Sequence, residues 1–239
     1  MTDHRTLSSE SHRDLRIKTE PSAELGDAVM ACFTIPYEFR QVQAHYPIVF
    51  QRDAESGRYN ALALFGFTNG ENLFLDDGMW DASYIPMAHA IQPFLIGRPS
   101  QEGGENQVHI DMEHARISKD GEGMRVFDDS GVPTPYLELI AHKLGNLHEG
   151  HQDSADFYEA MKRYDLLEPF KLEVPLKDGS QHSLVGFETI HEERLQALGG
   201  DELADLHKGG HLMPAFMVLA SMNNFTDLIR RKNDRVDLG

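Results

Sequence analysis

Residues 45–98 read HYPIVFQRDAESGRYNALALFGFTNGENLFLDDGMWDASYIPMAHAIQPFLIGR, and this stretch decides the fold. It contains two apolar runs, Ile48–Phe50 and Ala61–Phe67, which are separated by a polar loop. Short apolar runs that are bounded by turn residues favour strands over helices. The continuous run at 61–67 is typical of a strand that is buried on both faces. We therefore predict two strands of one sheet here.

Turn residues divide the second half of this stretch. Asn69-Gly70 is a strong hairpin signal, so we predict that Asn72–Leu75 returns as a strand. The sequence Asp76-Asp77-Gly78 predicts the next turn, and Trp80 and Tyr84 follow it.

The flanking sequence extends the sheet on both sides. Residues 1–12 are polar, and we expect a disordered tail there. Leu15–Thr19 and Val29–Ile35 have the composition of short strands, and Glu38–Ala44 that of a short helix. Apolar residues alternate with polar ones at 108–113, which predicts a half-buried strand.

Helical periodicity begins after Gly131. The sequence predicts one helix from Thr134 and a second from about Asp153. A hairpin over 170–189 turns at Asp178-Gly179, and its first strand is expected at a sheet edge. A last helix is predicted from about Leu212 to Lys232, and its first half is apolar on nearly every side, so it should be buried.

Together these elements predict an α+β fold. We expect a mainly antiparallel β-sheet, built from the N-terminal half and the 170–189 hairpin, with a helical C-terminal part packed on one face. The sequence contains no internal repeat and no long linker, so residues 13–239 are expected to form a single domain.

Composition argues against several classes of partner. The 239-residue chain carries a net charge of −17, which disfavours nucleic acids and anionic membranes, since phosphate binding needs clustered Lys and Arg. No run approaches the roughly 18 apolar residues needed to cross a bilayer, and the N-terminus lacks the apolar segment of a secretory signal. Cys32 is the only cysteine, which fits a reducing compartment. We therefore expect a cytoplasmic protein without membrane insertion or nucleic-acid binding.

The central stretch also holds the candidate binding residues Glu71, Asn72, Trp80 and Tyr84, with Asp81 beside them. They lie on or near turns next to the predicted strands. One interpretation is a cleft with aromatic walls for a small molecule, a peptide or a protein partner. In the alternative interpretation Asn72 caps a turn, and the two aromatic residues fill the edge of the core.

One short motif has metal-ligand spacing. His109 and Asp111 match the His-x-Asp pair of iron and 2-oxoglutarate oxygenases, and on a strand their side chains share one face. A third ligand would have to be a distant histidine, for which the candidates are His182, His191 and His211. None of these follows at a fixed spacing, so we expect no bound metal. The chain also has no Gly-x-Gly-x-x-Gly, phosphate-loop or Gly-x-Ser-x-Gly motif, and we expect no cofactor and no catalytic residue.

Several motifs of the chain occur together in a known family. They are YPIVF (46–50), ENLFL (71–75), Trp80, YIP (84–86), PFLIG (93–97), LLEPF (166–170), GFETIHEERL (186–195) and ASMNNFTDLIRRKN (220–233). In this combination the chain resembles the bacterial SapC family over roughly Leu25–Asn233.

The resemblance implies a cellular setting, but it names no substrate and offers no catalytic residues to assign to this chain. The family is named after a protein associated with a bacterial surface layer. Its genes often neighbour those of TonB-dependent receptors, halogenase-like enzymes and cupin-like proteins, which implies a link to nutrient uptake or to modification of an imported compound. Our first hypothesis is a non-catalytic cytoplasmic binding or accessory protein. The alternatives are a metal-dependent oxygenase that uses His109 and Asp111, and a surface-layer-associated protein.

Overall fold

The structure is a computed structural model that describes residues 3–97 and 107–238. Its strands are β1 (His4–Thr6), β2 (Arg16–Ile17), β3 (Ala31–Thr34), β4 (Ile48–Arg52), β5 (Tyr59–Leu64), β6 (Leu75–Asp76), β7 (Met79–Trp80), β8 (Phe94–Gly97), β9 (Gln107–Asp111), β10 (Met124–Arg125), β11 (Leu167–Pro175) and β12 (Gln181–Ile190). Its α-helices are α1 (Ser9–His12), α2 (Phe39–Val42), α3 (Met87–Ala90), α4 (Pro135–Arg163), α5 (Glu192–Gln196), α6 (Gly200–Lys208), α7 (Leu212–Ser221) and α8 (Asn224–Leu238).

The chain divides into two compact units. The first comprises the chain up to Ala28 together with Leu75–Trp80 and Met87–Glu149. The second comprises Val29–Phe74, Asp81–Pro86 and the chain from Gly150 onward. The prediction of a single domain concerns the whole chain, and it stays a prediction.

The second unit contains the sheet that the apolar runs predict. Among the described residues it has five antiparallel strands in the order β11-β12-β4-β5-β3. Strands β4 and β5 lie in the interior of the sheet, where Phe50 pairs with Ala61, and their apolar residues are buried. Strand β12 joins β4 where Glu188 pairs with Phe50. The predicted hairpin turns at Asp178 and Gly179, and β11 is an edge strand as expected.

Helices of the second unit pack on this sheet. The ring of Phe157, on the second half of α4, lies 6.1 Å from the rings of Phe39 and Phe50. Helix α7 reaches β4 through the hydroxyl of Ser221, which accepts a hydrogen bond from the Ile48 N–H at 2.9 Å. The α+β class with antiparallel sheets and a helical C-terminal region is confirmed.

The first unit has a smaller sheet and its own core. The described strands pair antiparallel in the order β1-β9-β8, and β2 pairs separately with β10. The first half of α4 contributes Leu137, Ile140 and Leu144 to a core that also contains Ile17, Phe94, Ile110, Val126 and Phe127. Strands β6 and β7 form a two-residue hairpin through the predicted turn, where Asp77 and Gly78 have positive φ.

Residues 3–12 differ from the expected disordered tail, whose first two residues lie outside the described part of the chain. His4–Thr6 pairs with β9, and Ser9–His12 forms one helical turn that is capped by the Ser8 hydroxyl. These residues are polar because β1 is an exposed edge strand, whose side chains bury little surface while its backbone satisfies its hydrogen bonds on β9.

Two other local predictions were wrong. Asn72–Leu75 is not a return strand, because the Asn72 side chain accepts a hydrogen bond from the Phe74 N–H at 2.9 Å and turns the backbone. The two predicted helices after Thr134 are one continuous helix, α4.

The predicted last helix is divided. It breaks between Ser221 and Asn224, where the Asn224 amide donates to the Gln43 carbonyl. The expectation that its first half is buried holds for Ala215 and Val218, but Met213 and Phe216 are 56% and 48% exposed. Among the described residues, no helix combines the length and the apolar composition that crossing a membrane requires.

Candidate functional site

The four predicted binding residues fall in both units. Trp80 belongs to the first unit, and Glu71, Asn72 and Tyr84 belong to the second. The prediction that they line one cleft stays a prediction.

Glu71 anchors the C-terminal helix. One carboxylate oxygen pairs with the ammonium of Lys232, and the other accepts a hydrogen bond from the Phe67 N–H at 2.9 Å. The two charged side chains are only 14% and 17% exposed. The neighbouring Arg231 lies over the Phe74 ring at 4.4 Å and pairs with Asp81 at 2.8 Å. These contacts hold α8 against the segment that follows β5.

Tyr84 binds a buried carboxylate. Its hydroxyl donates to Oε2 of Glu38 at 2.6 Å, and the Thr34 hydroxyl donates to Oε1 at 2.9 Å. Glu38 is 1% exposed. Burial, and then the hydrogen bond to Glu38, raises the pKa of Tyr84 well above its ordinary value. The phenol therefore remains protonated and acts as a hydrogen-bond donor.

Trp80 lies beside a buried ionic cluster that sequence analysis missed. Its ring is 5.0 Å from the ring of His89, whose Nε2 lies 2.6 Å from Oδ1 of Asp27. Arg116 reaches the same oxygen through Nη2 at 2.6 Å, and the Ser22 N–H donates to Oδ2 at 2.7 Å. Trp80 itself is half-buried.

The cluster fixes the charge of Asp27. Burial alone would raise the pKa of this carboxyl, but the hydrogen bond from His89, the Ser22 N–H and the Arg116 guanidinium together hold it below its ordinary value. Arg116 also donates to the Lys18 carbonyl at 2.8 Å and to the Glu20 carbonyl at 3.3 Å. Burial, followed by the nearby Arg116 charge, lowers the pKa of His114. The cluster thus joins several segments of the first unit.

The two residues of the oxygenase motif, His109 and Asp111, form hydrogen bonds with other residues of the first unit. Nε2 of His109 lies 3.2 Å from the Thr6 hydroxyl, and Asp111 accepts hydrogen bonds from the N–H groups of Asp3 and Glu113. The distant histidines that could supply a third ligand belong to the second unit. Within residues 3–97 and 107–238, no group of three or more His, Cys, Asp or Glu side chains is arranged to hold a metal ion. None of these contacts favours the oxygenase hypothesis.

An apolar cleft of about 420 Å³ opens on the surface of the first unit. Its floor consists of Leu7, Val108, Phe127 and Leu137, which pack at the edge of the core. Five further residues line its walls and rim: Thr6, Gln107, Pro133, Glu138 and Ala141. The cleft therefore combines a mainly hydrophobic lining with a hydroxyl, an amide and a carboxylate. We call it the β1–α4 cleft.

The second unit has a cleft of about 470 Å³ with the opposite character. It is lined mainly by charged and polar side chains of α4, α6 and the turn after α6: Asp156, Glu159, Arg163, Asp205, Lys208 and His211. Several of these groups bind one another or their neighbours. Arg163 pairs with Asp205 at 3.0 Å, and Glu159 pairs with Lys162 at 2.8 Å. Part of the charge of this surface is therefore already paired within the protein.

Sequence analysis did not predict the β1–α4 cleft as a binding site. Val108 and Leu137 carry the periodicity of a strand and a helix, whereas Thr6 and Leu7 fall in the expected tail. The cleft forms because β1 pairs with β9 beside the first turns of α4, and no local pattern predicts that pairing.

Comparison with known proteins places the chain in one family. No curated protein and no solved structure matches it significantly. The family model described as SapC matches residues 7–228, which is nearly the whole chain. The chain therefore belongs to the SapC family.

Proposed function

We propose that this protein is a cytoplasmic, non-catalytic binding or accessory protein, and that the β1–α4 cleft is its ligand site. The observation that carries the proposal is the lining of that cleft, in which apolar side chains form the floor and three polar groups lie at the rim. Small-molecule sites typically have volumes of about 300–1,000 Å³, a mainly hydrophobic lining and a few polar groups that orient the ligand. The cleft of about 420 Å³ fits this description.

The buried carboxylates support a role without catalysis. Both oxygens of Asp27, of Glu38 and of Glu71 accept hydrogen bonds or ion pairs from the protein itself. A general base needs an oxygen that can reach a substrate proton. In these three residues the oxygens instead hold segments of the chain together.

The family resemblance supports the accessory role. SapC-like genes accompany TonB-dependent receptors and halogenase-like enzymes, so we propose that the bound molecule is an imported compound or one that such an enzyme modifies. In this view the protein holds the ligand, or presents it to a neighbouring enzyme, without changing it.

A neutral apolar probe tests the proposal. We expect 2-naphthylmethanol to bind saturably in isothermal titration calorimetry, since its body is apolar and its hydroxyl can reach the polar rim. Ala141→Phe places a ring in the wall of the cleft and should weaken binding by about tenfold or more, equivalent to about 1.4 kcal/mol. The matched control is Ala155→Phe, at an exposed position later on the same helix.

The outcomes are distinct. Saturable binding that Ala141→Phe weakens and Ala155→Phe leaves unchanged supports the proposal. Absence of saturable binding, or equal binding by both variants, overturns it.

A further inference from the structure

We infer that the ligand of the β1–α4 cleft is a small organic amine, with an apolar body on the floor of the cleft and a cationic ammonium group beside Glu138. This inference rests on the proposed function and specifies the ligand class. It depends on the chemistry of the cleft rim, on the position of Glu138, and on the low polarity of the adjoining floor.

Among the described residues that line the cleft, Glu138 is the one with a charged side chain. The other polar lining groups, the Thr6 hydroxyl and the Gln107 amide, are neutral. Nε2 of His109 lies 3.2 Å from the Thr6 hydroxyl, so this hydroxyl already has a protein contact. Of these three polar groups, the Glu138 carboxylate should therefore interact most strongly with a ligand, and it should favour a cationic one.

Two basic side chains encoded near Glu138 in the sequence bind other residues. One turn further along α4, the ring of His142 lies within 3.3 Å of the Asn146 amide. Arg125, which precedes α4 in the sequence, pairs with Asp129 at 2.6 Å and is therefore already bound to another carboxylate. Neither side chain pairs with Glu138 in the structure. Within the part of the chain that the structure describes, an incoming ammonium group would therefore meet a carboxylate that neither of these two side chains pairs with.

The apolar floor strengthens the discrimination between charges. Phe127 and Leu137 are 5% and 6% exposed and present hydrocarbon to the cleft. Attraction between unit charges grows as the local dielectric constant falls, and so does repulsion. A carboxylate-bearing ligand whose apolar body lies on this floor would place a second negative charge beside Glu138. The cleft should therefore favour amines and reject acids of the same shape.

The net charge of the whole chain also favours cationic ligands. A net charge of −17 raises the local concentration of cations near the surface and speeds their encounter with the protein. This effect is general, however, whereas the effect of Glu138 is local. A valid test has to separate the two.

Three probes that share one aromatic ring system, together with two charge variants, separate the effect of Glu138 from that of the overall charge. We would titrate 2-naphthylmethylammonium, 2-naphthylmethanol and 2-naphthoate into the full chain by calorimetry. The expected order of affinity is cation, then neutral, then anion. Glu138→Gln should reduce the affinity for the cation by about tenfold, towards that of the neutral probe, and should leave the neutral probe unchanged. Glu138 is exposed, so this substitution removes no buried interaction.

The control is Glu149→Gln, which removes the same charge from the same helix. Glu149 is exposed and lies eleven residues from Glu138, about 16 Å along α4 and outside the cleft. It should leave all three affinities unchanged. An equal loss in both variants would show that only the overall charge matters, and would overturn the inference.

The neutral probe separates failure of the inference from failure of the proposed function. If 2-naphthylmethanol binds and the cation binds no more tightly, the amine assignment is wrong and the cleft remains a ligand site. If none of the three probes binds, the proposed function is wrong and the inference fails with it.

Discussion

Arg116 and Asp27 form an ion pair inside the first unit, with Nη2 of the arginine 2.6 Å from Oδ1 of the aspartate. The arginine is 8% exposed and the aspartate is fully buried. The two residues are 89 positions apart in the sequence. The pair connects the segment before β3 with the loop after β9, and His89 from α3 completes it.

Removing this buried charge should destabilise the protein strongly. Asp27→Asn leaves the Arg116 guanidinium buried without its counter-charge, which typically costs about 3–5 kcal/mol. Chemical denaturation measures the free energy of unfolding. The control is Asp129→Asn, because Asp129 is highly exposed and pairs with Arg125 at the surface. A small effect of Asp27→Asn, similar to that of the control, would contradict the structural role of the cluster.

The same carboxylate predicts a pH dependence. The folded-state pKa of Asp27 lies below its ordinary value, which is about 3.9 in an unfolded chain. Its contribution to stability is therefore complete above about pH 4 and is lost as the pH falls through the lower folded-state pKa. We expect the stability difference between the native protein and Asp27→Asn to narrow in acid. A difference that stays constant down to acid unfolding would contradict the assignment.

A glycine in the PFLIG motif makes room for a histidine. A Cβ at Gly97 would overlap the imidazole of His109 on the neighbouring strand. Gly97→Ala should therefore displace the ring, break its contact with Thr6 and cost about 1–3 kcal/mol. At Gly145, on α4, a Cβ would meet nothing within 4 Å. Gly145→Ala should instead stabilise the helix by about 0.5–1 kcal/mol. Thermal unfolding should show a lower melting temperature for Gly97→Ala and a higher one for Gly145→Ala. Equal changes in the two variants would show that the packing at Gly97 is loose.

Two adjacent arginines of the RRKN sequence at 230–233 allow a test of how α8 is attached. Arg231 is 18% exposed and contacts Asp81, Asp227 and the Phe74 ring. Arg231→Ala should lower the free energy of unfolding by about 1.5–3 kcal/mol, the usual range for a hydrogen bond to a charged group. The adjacent Arg230 is 60% exposed and pairs with Asp227 and Asp234 on its own helix. Arg230→Ala should have little effect, and the reverse order of the two variants would contradict the attachment.

These contacts show what sequence patterns could and could not predict. Strands β4 and β5 were predictable because apolar runs bounded by turns carry their own signal. Helix α4 was predicted as two helices, and Gly145 and Gly150 lie between the two predicted starts. In the structure Gly150 lies inside the helix, where a Cβ would overlap Ile35. This glycine permits close packing, and a single sequence does not distinguish that role from a helix end.

The candidate sites depend on long-range pairing, which local patterns do not encode. Asp27, His89 and Arg116 come from three distant segments, each unremarkable by itself. The β1–α4 cleft likewise needs Leu7, Val108 and Leu137 to meet. Sequence analysis placed Leu7 in an expected tail, because a short edge strand has the same polar composition as a disordered segment.

The central claim is that the β1–α4 cleft binds a small molecule with an apolar body, and methyl NMR tests this claim most directly. With the methyl groups of Ala, Leu, Val and Met labelled, titration with 2-naphthylmethanol should shift the signals of Leu7, Val108, Leu137 and Ala141 together, along one saturation curve. The exposed Met213 on α7 serves as the internal comparison. Shifts at Met213 without shifts at the four cleft residues, or no saturable shifts at all, would contradict the claim.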